Sequence, residues 1–351
     1  MFYNQVTYSP GGGSGPRSVA VVDVNSDNIP DIVTANTNTH NVGVLLNAGN
    51  GTFLSATTFS TSAFSGPRSV AVVDVNNDNK PDIVTANPGT NNVGVLFGVG
   101  NGTFLAVTTY SSGGTSAPQS LTVVDVNSDN RPDIITANTN ANNVGVLLNA
   151  GNGTFLTVAT YSTGGTSAPQ SVAVVDVNGD NKPDIIVANP SASNVGVLLG
   201  VGNGTFLAQT TFSTATSSSP QSVVVVDVSG DNKPDIIVAN QGTNSVGVLL
   251  GIGNGTFRAQ TIYTATSSAP RGVTVGDVNG DNKPDIVVAN SGTTNVGVLL
   301  GVGNGTFLAQ TPYTTGTSPR SVAVGDVNGD NKLDIVVGNQ GSSTASVLLH
   351  C

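Results

Sequence analysis

The chain has 351 residues and a net charge of −10, yet only 9% of its residues are charged, with 44 Gly, 17 Pro, one Met, no Trp and no Glu. A vocabulary of Val, Thr, Ser, Asn and Gly excludes long amphipathic helices, which draw on Glu, Lys, Leu and Gln. No apolar run approaches the roughly 20 residues of a bilayer-spanning helix, and the acidic balance argues against nucleic acid, which would need a basic face.

Residues 1–9 read as a lone strand, because Phe2 and Tyr8 have the spacing of Phe53 and Phe59 further on. A four-strand unit follows, with strands at about 18–22, 32–35, 42–46 and 53–59. An acidic segment joins its first two strands, and a Gly-Asn-Gly-Thr turn at 49–52 joins the last two, the Asn-Gly step supplying the positive φ of a tight hairpin. The unit then repeats. The first acid of each copy is Asp23, Asp74, Asp125, Asp176, Asp227, Asp277 and Asp326, and residues 195–210 recur unchanged at 296–311.

A period near fifty with four strands per unit predicts an all-β, seven-bladed propeller of four antiparallel strands per blade. The expected single domain spans 1–351, with blades at 10–60, 61–111, 112–162, 163–213, 214–264, 265–314 and 315–351 plus 1–9. The last unit has three strands and stops inside its turn at Cys351, so the N-terminal strand is expected to complete blade seven, close the ring and remove the exposed sheet edges. A disordered low-complexity chain would not keep its Val-rich cores in phase through seven units.

The acidic segment reads Asp-Val-Asn-Ser/Gly-Asp-Asn-X-Pro-Asp, and its seven copies contain all 21 acids of the chain. Oxygen-bearing side chains recur at positions 1, 3, 5 and 9, the alternation that aims oxygens into a tight loop and suits a hard cation such as Ca²⁺. The candidate ligands are Asp23, Asn25, Asp27 and Asp31; Asp74, Asn76, Asp78 and Asp82; Asp125, Asn127, Asp129 and Asp133; Asp176, Asn178, Asp180 and Asp184; Asp227, Ser229, Asp231 and Asp235; Asp277, Asn279, Asp281 and Asp285; and Asp326, Asn328, Asp330 and Asp334. Position 7 would offer its backbone carbonyl. It is Ile29, Lys80, Arg131, Lys182, Lys233, Lys283 or Lys332, a set with no shared side-chain chemistry.

Up to seven Ca²⁺ are therefore expected, one per blade, each offsetting three crowded carboxylates. Mg²⁺ suits such an all-protein cage less well. Position 6 is always Asn, which tolerates a left-handed backbone, and no Glu stands at position 12, so this is a β-hairpin loop and not an EF-hand. The competing reading is that these Asp only build Asx turns.

The acidic loops, the Gly-Asn-Gly-Thr-Phe turn and the Ser-Ala-Pro-Gln-Ser-Val lead-in resemble FG-GAP repeats, also called VCBS repeats. The resemblance covers essentially the whole chain. It implies the propeller fold and a structural role for calcium on the Asp, Asn or Ser, and Asp of each loop. For function it implies less, since the family spans integrin-type adhesion heads, propeller lectins and non-catalytic parts of polysaccharide-degrading enzymes. The family usually has Gly at position 6, where this chain has Asn.

At the opposite end of the blades, the loops at 37–40, 88–90, 190–193 and 241–244 are short and bland. One position there varies in a pattern. After the Pro that opens each first strand come Arg17, Arg68, Gln119, Gln170, Gln221, Arg271 and Arg320, a ring expected at the mouth of the central channel with one basic and one neutral half. Antiparallel pairing is expected to set Asn36, Asn87, Asn138, Asn189, Asn240, Asn290 and Asn339 beside it. Arg forks and Asn amides suit carboxylate, sulfate or sugar hydroxyls, while the plainer reading has them cap strands and bond the next blade.

A catalytic role is not expected and no catalytic residue is assigned. Every acid belongs to a loop, Cys351 is terminal, and His40 and His350 lack a nucleophile motif. The six Asn-Gly-Thr sequons from Asn50 to Asn304 are explained by their hairpins, although they could carry glycans on a secreted chain. The expected partner is a glycan or a protein, bound by a monomer without membrane insertion in an extracellular or cell-surface setting. Sugar-stacking platforms would have to come from Tyr8, Tyr110, Tyr161, Tyr263 and Tyr313. The first residues already read as strand, which leaves a mature form, an excerpt and a cytosolic protein open.

Overall fold

The computed structural model describes residues 2–264 and 268–351. Seven four-stranded antiparallel sheets follow one another along the chain. In blade one the strands are Pro16–Val22, Asp31–Asn36, Asn41–Leu45 and Thr57–Ser60, in that order across the sheet. Blade seven is assembled from both ends of the sequence. Its strands Pro319–Gly325, Asp334–Asn339 and Thr344–Leu348 are joined by Val6–Tyr8, which pairs with the third in the register Val6↔Val347, Thr7↔Ser346 and Tyr8↔Ala345. The expected closure is present.

Face-to-face stacking of blades explains why the second strands are apolar at consecutive positions instead of alternating. Asp31–Asn36 is buried at all six residues because each of its faces meets a blade. The apolar clusters accordingly lie between blades. One joins Val33, Val42 and Val44 of blade one to Val70, Ile83 and Leu96 of blade two, and the cluster that seals the ring joins Val19, Ile32 and Leu45 to Val327, Val336 and Val347.

An aromatic seam reinforces each junction: a residue of one blade's outer strand meets, edge to face, a Phe from the next blade. Tyr8 meets Phe53 at 5.3 Å, Phe59 meets Phe104 at 5.3 Å, and Phe2 supplies the partner of Tyr313 at 5.2 Å where the chain closes on itself. Such pairs contribute about 0.5–1.5 kcal/mol beyond their burial.

Around the channel a second belt links neighbours. The serine after each ring position accepts the backbone N–H of the following blade's inner strand, as in Val19 N to Ser321 Oγ (3.1 Å), Val70 N to Ser18 Oγ (3.3 Å) and Val223 N to Ser171 Oγ (3.2 Å). Blade six has Gly272 at this place. A Cβ there would stand 2.7 Å from the Arg320 carbonyl oxygen and 3.0 Å from Ser321 Cα, so glycine is what permits blades six and seven to approach this closely.

The fourth strand differs from its expected span. In blade one it covers only Thr57–Ser60, and Phe53 makes an isolated bridge to Asn47. Phe53 is buried against Tyr8, and Leu54 beside it is exposed, so the chain leaves the ladder between the turn and the outer strand. In the turn, the Asn-Gly step supplies its positive φ at Gly51, with a second at Gly49, while Asn50 does not turn left-handed and its Oδ1 accepts from Thr52 N–H at 3.2 Å. Only in blade three does the Asn itself turn left-handed, Asn152 at φ 52°, and there a short extra ladder Asn149–Gly151 with Thr154–Phe155 forms.

Candidate functional site

The inner strand of each blade runs from the ring position to the acidic loop, so the two sets of polar residues occupy opposite ends of the barrel-shaped core. In blade one the seven residues Pro16–Val22 separate them, about 20 Å at strand rise.

In each acidic loop the first acid gathers the backbone. Asp23 Oδ1 accepts from the N–H of Asn25 (3.1 Å) and Ser26 (2.7 Å), and its Oδ2 accepts from Asn28 N–H at 2.7 Å. Asn25 Oδ1 accepts from Asp27 N–H (3.1 Å), and Asp27 Oδ1 from Ile29 N–H (2.8 Å). The curl depends on left-handed residues at positions 4 and 6. The position-6 residues Asn28, Asn79, Asn130, Asn181, Asn232, Asn282 and Asn331 all have φ of 61–66°, a conformation that Asn tolerates.

Position 9 behaves differently. Asp31 is fully buried, its Oδ2 accepting from Val24 N–H (3.0 Å) and its Oδ1 from Asn47 N–H (2.8 Å), and so it ties the loop to the end of the third strand. Asp82, Asp133, Asp184, Asp235, Asp285 and Asp334 are buried in the same way, with Asp334 reaching Val327 N and His350 N. Burial, with repulsion from the other loop acids, raises Asp31 and Asp133 to about 6, and raises Asp82, Asp184, Asp235, Asp285 and Asp334 as well.

The position-7 side chains also act, which reading them only for their carbonyls missed. Lys80, Arg131, Lys182, Lys233 and Lys283 fold back onto the position-5 acid, the shortest pair being Arg131 Nη2 to Asp129 Oδ2 at 2.8 Å. The i,i+2 spacing in a curled loop was the available signal. Lys332 instead reaches the Cys351 carbonyl at 3.1 Å.

The donor chemistry of the loops suits a hard cation: two carboxylates, an amide or hydroxyl oxygen, a backbone carbonyl, and a position-9 carboxylate. Each oxygen of that last group has accepted one N–H and retains a lone pair, except Asp235 Oδ2, which accepts from both Val228 N–H (3.0 Å) and Ser229 N–H (3.1 Å). Among the described residues, however, no three acidic, His or Cys side chains gather as a metal cluster. The loop oxygens are turned onto backbone N–H groups, the arrangement of an Asx-type turn.

At the other end, the seven predicted ring residues come together. Arg17, Arg68, Gln119, Gln170, Gln221, Arg271 and Arg320 line one cavity of about 190 Å³ with the serines of the belt. A local irregularity accompanies five of them. Between Pro16 and Ser18 the register against the second strand shifts by one, and the residue between them bulges, as in blades three, five, six and seven.

The arginines are poorly neutralised. Every ion pair among the described residues lies in an acidic loop. Burial and then repulsion from Arg68 and Arg271 lower Arg17 to about 10, while burial and then Arg271, Arg17 and Arg68 lower Arg320 to about 9. Both remain protonated at neutral pH, so these shifts record an unfavourable environment for the charge.

The asparagines are not at the ring. Asn36, Asn87, Asn138, Asn189, Asn240, Asn290 and Asn339 are buried and do not line the cavity. Pairing does set Asn36 opposite Pro16, but its side chain projects into the sheet stack, where Nδ2 donates to Pro10 O (2.8 Å) and Asn41 Oδ1 (2.9 Å). Gly43 leaves the slot for it, since a Cβ there would lie 2.9 Å from Asn36 Nδ2. Their side chains hydrogen-bond within their own blade, as Asn87 does to Asn92, Asn189 to Asn194 and Asn339 to Ser346, so a structural role inside the blade, and neither a bond to the next blade nor ligand contact, is what their surroundings support. The tyrosines too are committed elsewhere: Tyr110 and Tyr161 pack edge to face on Phe155 and Phe206, and none of the five lines the cavity.

A family model described as FG-GAP-like repeat matches six overlapping stretches, 23–85, 74–136, 125–187, 176–238, 227–288 and 277–337. No curated protein matches by sequence. Among solved structures, virginiamycin B lyase from Staphylococcus aureus is similar at TM-score 0.71 and 13% identity, covering 99% of each chain. BBS1N in complex with ARL6DN is similar at TM-score 0.66 and 13% identity, over 99% of this chain and 98% of that one. An Agrocybe aegerita lectin that recognises non-reducing terminal N-acetylglucosamine is similar at TM-score 0.60 and 21% identity, over 86% and 80%. At these identities the likeness is one of fold.

Proposed function

The chain belongs to the family of FG-GAP-like repeats, and from that membership we propose that it is a non-enzymatic, calcium-binding propeller that engages a glycan, free or on a cell surface in an adhesion setting, at the arginine and glutamine end of its channel. The observation that carries this reading is the convergence of seven equivalent polar positions on one cavity, on a rigid frame of stacked blades. Guanidinium forks and amides there can donate to several sugar oxygens at once, and binding polar ligands on a preformed frame costs little ordering.

The lyase and lectin neighbours show that this architecture hosts more than one kind of site. A binding role is supported by the position of the acids, all of which sit in the loops at the far end of the inner strands. His40 Nδ1 is likewise occupied, accepting from Gly66 N–H at 3.1 Å.

Calcium belongs to the proposal as a structural element. Positions 1, 3, 5 and 9, with the carbonyl of position 7, would hold it in each loop, where it would supply positive charge among three carboxylates. An extracellular setting would provide millimolar calcium and fill even weak sites. The test is a glycan array probed with labelled protein in calcium and again in chelator. Binding to a defined glycan class that weakens when the ring arginines are replaced would support the proposal. A blank array from folded protein would overturn it in favour of protein adhesion or scaffolding, the kind of contact that BBS1N makes with ARL6DN.

A further inference from the structure

The ring is not a uniform circle of donors. Where its basic half meets its neutral half, arginine and glutamine satisfy each other: Arg68 Nη1 donates to Gln119 Oε1, and Arg271 Nη1 donates to Gln221 Oε1 at 3.3 Å. With its amide oxygen turned inward, Gln241 also accepts from Arg271 Nη2 at 2.8 Å. The two arginines in the middle of the basic half have no such neighbour. Arg17 and Arg320 stand on the adjacent inner strands of blades one and seven, joined one residue further on through Ser321. The Nε of each is buried without a hydrogen-bond partner, as is that of Arg68, but unlike Arg68 neither has a glutamine partner for its Nη groups.

We propose that Arg17 and Arg320 form a clamp for an oxyanion, a sulfate or carboxylate group, at the mouth of the channel. Two guanidinium groups offer paired N–H donors in the planar spacing that carboxylate and sulfate oxygens accept, and the anion would supply the charge that no acid of this chain supplies there. The cavity of about 190 Å³ admits such a group with its carrier or with water. The shifts of Arg17 to about 10 and Arg320 to about 9 agree with this geometry, since they mark a repulsion that a bound anion would relieve. The inference rests on the reading of this end as the binding end and narrows its ligand to an anionic one.

The same oxyanion could arrive free or as part of an acidic saccharide. The full chain is titrated calorimetrically with sodium sulfate, glucose 6-sulfate, glucuronate and glucose at constant ionic strength. The comparison protein is Arg17→Gln/Arg320→Gln, whose glutamines are what blades three to five carry at this position, so the ring remains buildable. A second control, Arg258→Gln, removes an exposed positive charge that belongs neither to the ring nor to an acidic loop. We expect sulfate or the acidic sugars to bind the wild type and the Arg258 control alike, and to lose at least tenfold in affinity on the ring variant.

The ring variant should also melt higher than the wild type in chloride, and the wild type should gain more from sulfate than the variant does. Binding of glucose 6-sulfate without free sulfate assigns the group to a saccharide, whereas sulfate alone assigns it to a free ion. Equal heats and equal sulfate-dependent melting in wild type and ring variant overturn the clamp. A blank glycan array together with a positive sulfate titration overturns the glycan function while the clamp stands.

Discussion

Replacing Gly272 by serine would install the residue that every other blade carries at this place. By repeat consensus it should stabilise: it offers the missing hydroxyl to Val322 N–H, worth about 1 kcal/mol, and removes a flexible glycine from a strand, worth about 0.5–1 kcal/mol. The structure predicts the opposite sign. The new Cβ would meet the Arg320 carbonyl oxygen at 2.7 Å and Ser321 Cα at 3.0 Å, both backbone atoms that move only if blades six and seven separate.

Overpacking of that kind costs about 1–3 kcal/mol, and a contact this short against backbone belongs at the upper end. The net expectation is a loss of about 1 kcal/mol for Gly272→Ser and about 2 kcal/mol for Gly272→Ala, which keeps the clash and forgoes the hydroxyl. With unfolding entropy of about 2.1 cal/mol/K per residue, a chain of this length shifts its Tm by only about 1–2 °C per kcal/mol. Urea midpoints measured beside calorimetric scans are therefore the better assay. A Gly272→Ser protein as stable as the wild type, or more so, refutes the argument that this junction is closed by the glycine.

Calcium should raise the Tm strongly over chelator and Mg²⁺ should not, because each site at one hundred times its Kd contributes about 2.7 kcal/mol; superimposable scans would remove the metal from the proposal. Deleting residues 2–9 strips the fourth strand from blade seven and the partners of Phe53 and Tyr313, so size-exclusion and melting should show aggregation or a large loss of stability. An unchanged monomeric melt would contradict closure. Calcium-free protein should become less stable as pH rises from about 4 to 6. The folded values of Asp31 and Asp133, about 6, lie above the roughly 3.9 of an unfolded Asp, so the folded chain holds the extra protons in that window and loses their contribution above it. Stability rising through the same window in urea titrations would show that the hydrogen bonds to Val24 and Asn47 outweigh burial.

The blade count, the closing strand and the ring were legible because each is carried by backbone-level periodicity: a strand-sized apolar run, a turn and one variable residue per copy. The fate of individual side chains was not. Asn36 and Arg17 lie on neighbouring strands at the same end, but which of them faces the channel is not written in the pattern, and neither is the bulge after Pro16 that accompanies it. The loop acids look alike in the sequence, yet Asp31 is buried while Asp23 is only partly covered, because Asp31 opens the strand that stacking encloses on both sides. The tyrosines looked like free platforms because their Phe partners belong to the next repeat, 45 residues on from Tyr8 to Phe53.

The aromatic seam gives every junction a direction: each blade extends a ring forward and receives one from behind. In the language of symmetry this is a head-to-tail contact, which terminates only when the rotation per unit returns to its start. A fragment holding a few blades would therefore present one unsatisfied head and one unsatisfied tail, and would complete itself with further copies. Fragments whose blade numbers sum to seven can shut the circle, while other lengths are left with an open, sticky end. Closure of the ring is in this sense a matter of counting, completed at the seventh junction.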